Sequence, residues 1–208
     1  LNQSINNSFS KLINNLLVLA SDEATEKELK QLLNKIISDT KQIASWQVIA
    51  ISDLIENSKE IDISKLDLVI DEQFINSLET ITNNIDLKVE NRAAALRLMI
   101  NLINKPQILN AILQKQLNPY SPNQLFDFAI TKLSNTSPSI DALLVHWKSY
   151  SPNRKNRVLQ HILNNEKKTI GLLKAIQNSQ LQASDISTAF QQLLKQHTNE
   201  TIKEQAKK

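Results

Sequence analysis

Tyr120-Ser-Pro-Asn-Gln-Leu-Phe-Asp-Phe128 and Tyr150-Ser-Pro-Asn-Arg-Lys-Asn-Arg-Val158 are the stretches from which the fold can be read. A serine hydroxyl accepts from an orphan N–H in the first turn of a helix, and a proline at the first helical position has no N–H to lose. Ser121-Pro122, Ser137-Pro138 and Ser151-Pro152 therefore each predict a helix start. The two nonapeptides also align with Val89-Glu-Asn-Arg-Ala-Ala-Ala-Leu96 upstream and with Ala183-Ser-Asp-Ile-Ser-Thr-Ala-Phe190 downstream, at intervals of 32, 30 and 32 residues. A second, shorter apolar segment lies in each interval, at 108–117, 140–147 and 169–176. Two antiparallel helices per unit, repeated at this period, predict an all-α chain of the α-solenoid type, an ARM/HEAT-like superhelix of five or six stacked helix pairs. The tetratricopeptide period is close, but its aromatic and glycine signature is missing; an ordinary helical bundle is the competing architecture. The alignment further predicts that Leu96, Ala129, Val158 and Phe190 occupy equivalent buried positions.

Away from the repeats the periodicity stays helical. Val89, Ala93, Leu96, Ile100 and Ile103 recur at the spacing of one helix face, with Arg92 and Arg97 off it, which predicts an amphipathic helix with one buried side. Segments 26–37, 43–55 and 74–85 read similarly. The N-terminal third predicts helices near 4–20, 22–38 and 41–57, then a connection at 58–66. Residues 1–208 are thus read as one HEAT-like domain, with 1–60 as irregular first repeats and 86–208 as regular ones.

Composition narrows the chemistry. One glycine in 208 residues, Gly171, excludes glycine-rich phosphate loops and nucleophile elbows, and argues against folds rich in tight turns. The lack of cysteine excludes disulfides, zinc-thiolate sites, a thiol nucleophile and covalent haem within these residues. The longest apolar run is residues 16–20, far short of the roughly 20 residues of a membrane helix. The chain begins with Leu rather than Met and shows no signal peptide, so it is expected to be a piece of something longer.

Charge is uneven. Residues 1–147 hold 13 Lys/Arg against 17 Asp/Glu, whereas residues 148–208 hold 11 against 4, a net of +7. The basic segment is either a solvated face or a docking surface for an acidic partner. The residues that would form such a surface are Lys148, Arg154, Lys155, Arg157, Lys167 and Lys168. Trp147 and Tyr150 beside them loosely resemble a stacking patch for nucleic acid, but Trp147 lies at the apolar end of a repeat helix with Leu143 and Leu144, where core packing is expected.

No other constellation carries chemistry. His146, His161 and His197 lack the paired spacing of helical metal ligands. Asp22-Glu23 and Asp71-Glu72 sit near helix starts, where negative charge complements the macrodipole. Neither a catalytic nor a metal site is predicted, nor a cofactor or small-molecule substrate.

One family resemblance emerges from the C-terminal third. Leu143-Leu144, Trp147, Tyr150-Ser-Pro152, Arg154, Arg157 and Leu163, then Leu172-Leu-Lys-Ala-Ile176, then Leu181-Gln-Ala-Ser-Asp185, Leu193-Leu194 and His197, are similar to the helical-repeat region of large secreted dehydrogenases. These proteins, often called membrane-bound dehydrogenases, occur in planctomycetes and related bacteria and in Bacteroidetes. The family joins a β-propeller resembling sugar dehydrogenases, a HEAT-like segment and a c-type cytochrome. Where the family has a glycine after Leu-Leu-x-Ala-Ile, this chain has Asn178-Ser179, with Asn as the tolerated left-handed residue. Gln191-Gln192 stand where an Arg usually precedes the last Leu-Leu pair.

The resemblance implies a non-catalytic scaffold that orients a dehydrogenase-like domain and a c-type cytochrome in an exported redox protein of the periplasm or cell envelope. Haem c would belong to the neighbouring domain only. The alternative is a free-standing HEAT-like adaptor for a protein or peptide. Nucleic-acid binding through the basic segment ranks last.

Overall fold

The computed structural model describes residues 25–38, 43–57, 68, 70–136 and 140–207. Among them are eleven α-helices and no strand: α1 (Glu26–Ser38), α2 (Ser45–Asn57), α3 (Glu72–Asn83), α4 (Val89–Leu102), α5 (Pro106–Gln116), α6 (Asn123–Thr136), α7 (Asp141–Leu144), α8 (Pro152–Leu163), α9 (Glu166–Gln177), α10 (Thr188–Lys195) and α11 (Glu200–Ala206). Two 3-10 turns, Trp147–Ser149 and Ala183–Asp185, complete the set. The all-α expectation is met. No helix among the described residues is long and apolar enough to cross a membrane. The expected helix at 4–20, the connection at 58–66, Asp22-Glu23 and the Ser137-Pro138 start lie outside the described residues.

The chain divides into two compact units, Leu1–Leu109 and Asn110–Lys208. In the first, α2 and α3 both pack on α4. Ala93, Ala94, Ala95, Leu96, Leu98, Met99 and Leu102 of α4 are all buried. The expected one-sided helix is therefore covered on most of its circumference. The three consecutive alanines explain it, because small side chains let neighbouring backbones come close. At the edge of this packing Arg92 Nε donates to the carbonyl of Thr82 at 2.9 Å, closing the last turn of α3.

In the second unit α6 packs on α7 and α8, α8 on α9, and α9 and α10 on α11. Leu125, Phe126, Ala129, Ile130 and Leu133 of α6 and Val158, Leu159 and Ile162 of α8 supply much of its core. A smaller cluster, Leu173, Leu194 and Ile202, joins α9 to α10 and α11.

Three local outcomes depart from expectation. The helix expected at 140–147 is one turn of α-helix followed by the 3-10 turn Trp147–Ser149. A 3-10 turn places residues i and i+3 one above the other, so Trp147 and Tyr150 both face inward and both are buried. The fourth repeat helix opens at Thr188, because the 3-10 turn Ala183–Asp185 occupies its expected start. As a result Phe190 falls in the first turn of α10 and is only half-buried, whereas Leu96, Ala129 and Val158 are fully buried. Finally, the left-handed residue after α9 is Ser179 (φ 58°), not Asn178 (φ −83°). Gln180 N–H reaches Ala175 O at 2.9 Å and Ser179 N–H reaches Ile176 O at 3.0 Å, a Schellman closure.

The caps follow the sequence more closely. Ser151 Oγ accepts from Arg154 N–H at 3.4 Å, with Pro152 at the first helical position. Asp71 caps α3 by accepting from Phe74 N–H at 2.7 Å, and Glu72 stands in the first turn. Ser121 behaves differently: its hydroxyl accepts from Asn118 Nδ2 at 2.7 Å, bracing the turn before α6.

Candidate docking surface

The six cations singled out in the sequence go to three different environments. Arg154 and Lys168 are inside, at 9% and 4% exposure. Lys155 and Arg157 are half-buried, and Lys148 and Lys167 are exposed. They do not make one basic face.

Arg154 is held by the backbone of the turn that follows α5. Its Nη1 donates to Asn118 O at 2.7 Å and its Nη2 to Ser121 O, with Asn123 Oδ1 at 3.5 Å from the same nitrogen. The guanidinium lies over the Phe126 ring, 4.6 Å from its centre, where the ring quadrupole favours a cation. Tyr150 joins from the other side: its hydroxyl donates to Leu117 O at 2.6 Å, and its ring meets Phe126 edge-on at 5.5 Å. Burial pushes the Tyr150 phenol up to about 12, although the Arg154 charge pulls the other way. Burial likewise lowers the Arg154 pKa. Tyr150 and Arg154 thus form a clamp that satisfies carbonyls left open where one helix ends and the next begins. Tyr120, at the same place in the matching tetrapeptide, is 94% exposed, and Gln124 follows it where Arg154 follows Tyr150.

Lys168 Nζ donates to Leu133 O at 3.5 Å in the last turns of α6, and burial lowers its pKa. Helix C-terminal carbonyls attract a cation in this way. Arg157 pairs with Asp127, Nη1 to Oδ1 at 2.6 Å. Lys155 reaches Asp185 at 3.4 Å while its ammonium lies 5.2 Å from the centre of the Trp147 ring. Four of the six charges are accordingly used in holding the second unit together.

Two histidines border this network: His146 meets the Tyr150 ring edge-on at 6.4 Å, and His161 lies near Asp127 and Lys168. His161 is half-buried, and burial holds its pKa below the ordinary value; Asp127 opposes that and Lys168 reinforces it. His197 Nδ1 accepts from Asn199 N–H at 3.0 Å, beside the start of α11. Among the described residues no three His, Asp or Glu side chains gather as a metal site would require.

A groove that the sequence does not announce runs between the last turn of α9, α10 and the end of α11. Its volume is about 410 Å³. Leu173, Ile176, Ile186, Leu194 and Ala206 line it, together with Gln177, Gln191 and Gln205 and the two lysines Lys195 and Lys207. Among the described residues no acidic side chain lines it. Gln191 Nε2 is committed to Ala183 O and Ile186 O, both at 2.9 Å, while Gln205 Oε1 is shielded from solvent and has no hydrogen-bond partner. The signal in sequence was the pairing of apolar positions with Lys195 and Lys207, but the same apolar residues also read as core.

No protein-family model, curated protein or solved structure matches the chain.

Proposed function

We propose that this chain is a non-catalytic helical-repeat scaffold, built as a HEAT-like solenoid, whose work is to hold protein surfaces at a set spacing. The observation that carries the proposal is the Tyr150–Arg154 clamp. It joins the start of one helix pair, α8 and α9, to the turn that opens the previous one, chiefly through the backbone carbonyls of Leu117, Asn118 and Ser121. Such a joint resists shear between successive pairs, and stiffness along the stack is what a spacer must supply. The equivalent burial of Leu96, Ala129 and Val158 on the first helices of three pairs supports the same reading.

In its specific form the scaffold orients a dehydrogenase-like domain and a c-type cytochrome of an exported protein, as the resemblance of residues 143–206 implies. Electron transfer between two such centres needs a short, constant gap, which a stiff spacer provides. The gene tests this. A Cys-x-x-Cys-His in the reading frame within roughly 100 residues after Lys208, about one domain length, would support it. A stop codon directly after Lys208, with an initiator Met just before Leu1, would remove it and leave the free adaptor. Architecture is tested separately by native-state hydrogen exchange of the Leu96→Ala and Val158→Ala variants.

A further inference from the structure

We infer that the groove between α9, α10 and α11 binds an acidic amphipathic helix of a partner protein. The inference rests on the scaffold reading and names the partner chemistry that such a scaffold would recognise at this end.

Two observations select the occupant. The walls are helix ends, with no strand edge to which an extended peptide could add, so the fitting mode is a helix laying apolar residues at i, i+3 and i+4 into the groove. Ile176 and Ala206, both half-buried, supply the accessible apolar floor, over the buried Leu173, Ile186 and Leu194.

Charge sets the sign of the partner. Lys195 and Lys207 are both exposed at the rim, and no acidic side chain among the described residues lines the groove. Lys195 ends α10 and Lys207 caps α11. The C-terminus of a helix gathers about half a negative elementary charge, which a full ammonium outweighs. Lys207 also meets Glu204 at 3.8 Å, but both side chains are more than half exposed, and pairs of this kind contribute little. A partner carboxylate can therefore displace Glu204. The surrounding segment, residues 148–208, adds its net charge of +7 to the attraction.

The test uses the full chain and three synthetic helical peptides of the same length. One carries Leu at i, i+3, i+4 and i+7 with Glu on the flanks; the second has the Glu residues replaced by Lys; the third keeps the composition with the Leu positions scrambled. Fluorescence anisotropy and NMR shifts of the labelled chain report affinity and place. The expected result is binding of the first peptide only, with shifts at Ile176, Leu194 and Gln205. Affinity should fall roughly tenfold in the Lys195→Glu, Lys207→Glu double variant, the scale of losing close charge pairs. Ala206→Leu, which fills the floor without changing charge, should weaken it too. Equal binding of the Glu and Lys peptides, shifts elsewhere, or no binding would overturn the inference. So would a concentration-dependent dimer that covers the same residues, since the occupant would then be a second copy. If binding fails while hydrogen exchange still shows stepwise opening of the repeats, the groove assignment falls and the scaffold stands.

Discussion

A guanidinium taken out of bulk water keeps its charge only when its donors find acceptors, and Arg154 finds them in the carbonyls of Asn118 and Ser121. Lysine at this position has the charge but not the planar fork, so one nitrogen must replace the two that now serve the two carbonyls, and the flat stack on Phe126 is lost. Arg154→Lys should therefore cost about 1.5–3 kcal/mol in urea melts, the range for hydrogen bonds to charged groups. Tyr150→Phe leaves Leu117 O without its donor and should cost about 1–2 kcal/mol. Additive losses in the double variant would show that the two residues are not one clamp. His161 gives a second test at this scale. Its folded-state pKa lies below the ordinary 6.5, so as pH falls the unfolded chain binds the proton first. Stability should then decline as pH drops below about 6.5, and stop declining once pH passes the depressed folded value. His161→Gln should flatten that slope between pH 7.5 and 5; an unchanged slope would show that His161 is not its source. Sequence reading placed Arg154 and Lys168 on the surface because charged side chains are usually there. Their acceptors lie more than thirty positions away in the chain, and no local pattern encodes a contact of that range.

At the scale of elements, most helices were legible because their information is local. Apolar spacing and caps sit within one or two turns, which is why 43–55, 74–85 and 169–176 correspond to α2, α3 and α9 within a few residues. The capping box at Thr25 is equally local, and Thr25-x-x-Glu28 is its sequence signal. Glu28 N–H donates to Thr25 Oγ1, while Thr25 N–H and the Thr25 hydroxyl donate to Glu28 Oε2 at 2.9 and 2.8 Å; the two bonds from Thr25 hold the Glu28 carboxyl below its usual range. What local pattern did not settle was how a helix stops. After the α-turn Asp141–Leu144 the chain tightens to 3-10 form at Trp147–Ser149, where Trp147 and Tyr150 are both buried. After α9 the closure puts a serine in the left-handed region, where a Cβ costs roughly 1–2 kcal/mol. Ser179→Gly removes that strain but adds freedom to the unfolded chain, so a net gain of about 0.5–1 kcal/mol is expected in thermal or urea melts. A loss would mean that the Ser179 side chain holds the turn in some other way. Gly171 offers the reverse test. It lies inside α9, and a Cβ there would meet Ile140 at 3.6 Å, an ordinary contact. Gly171→Ala should stabilise by about 0.5–1 kcal/mol through helix propensity alone.

At the scale of the whole molecule, the two units impose a condition on any stacked-repeat reading: damage in one should stay there. Each repeat in a solenoid contacts only its neighbours, so stability is close to a sum of local and nearest-neighbour terms. A globular bundle with a single core has no such locality and opens as one. Leu96 is fully buried at the centre of α4 in the first unit, beneath α2 and α3. Truncating it to alanine should cost about 2–5 kcal/mol in that unit, from lost transfer energy and the cavity left behind. In native-state hydrogen exchange the amides of α2, α3 and α4 should then lose protection by a common increment. Those of α9, α10 and α11, held by the Leu173, Leu194 and Ile202 cluster, should keep theirs. Val158→Ala, from the core of α8, should show the opposite pattern, with protection lost in the second unit and kept in α2 and α3. If either substitution lowers protection equally in both units, the chain has one cooperative core. The repeat alignment would then describe helix spacing without solenoid energetics, and the scaffold proposal would lose its architectural basis.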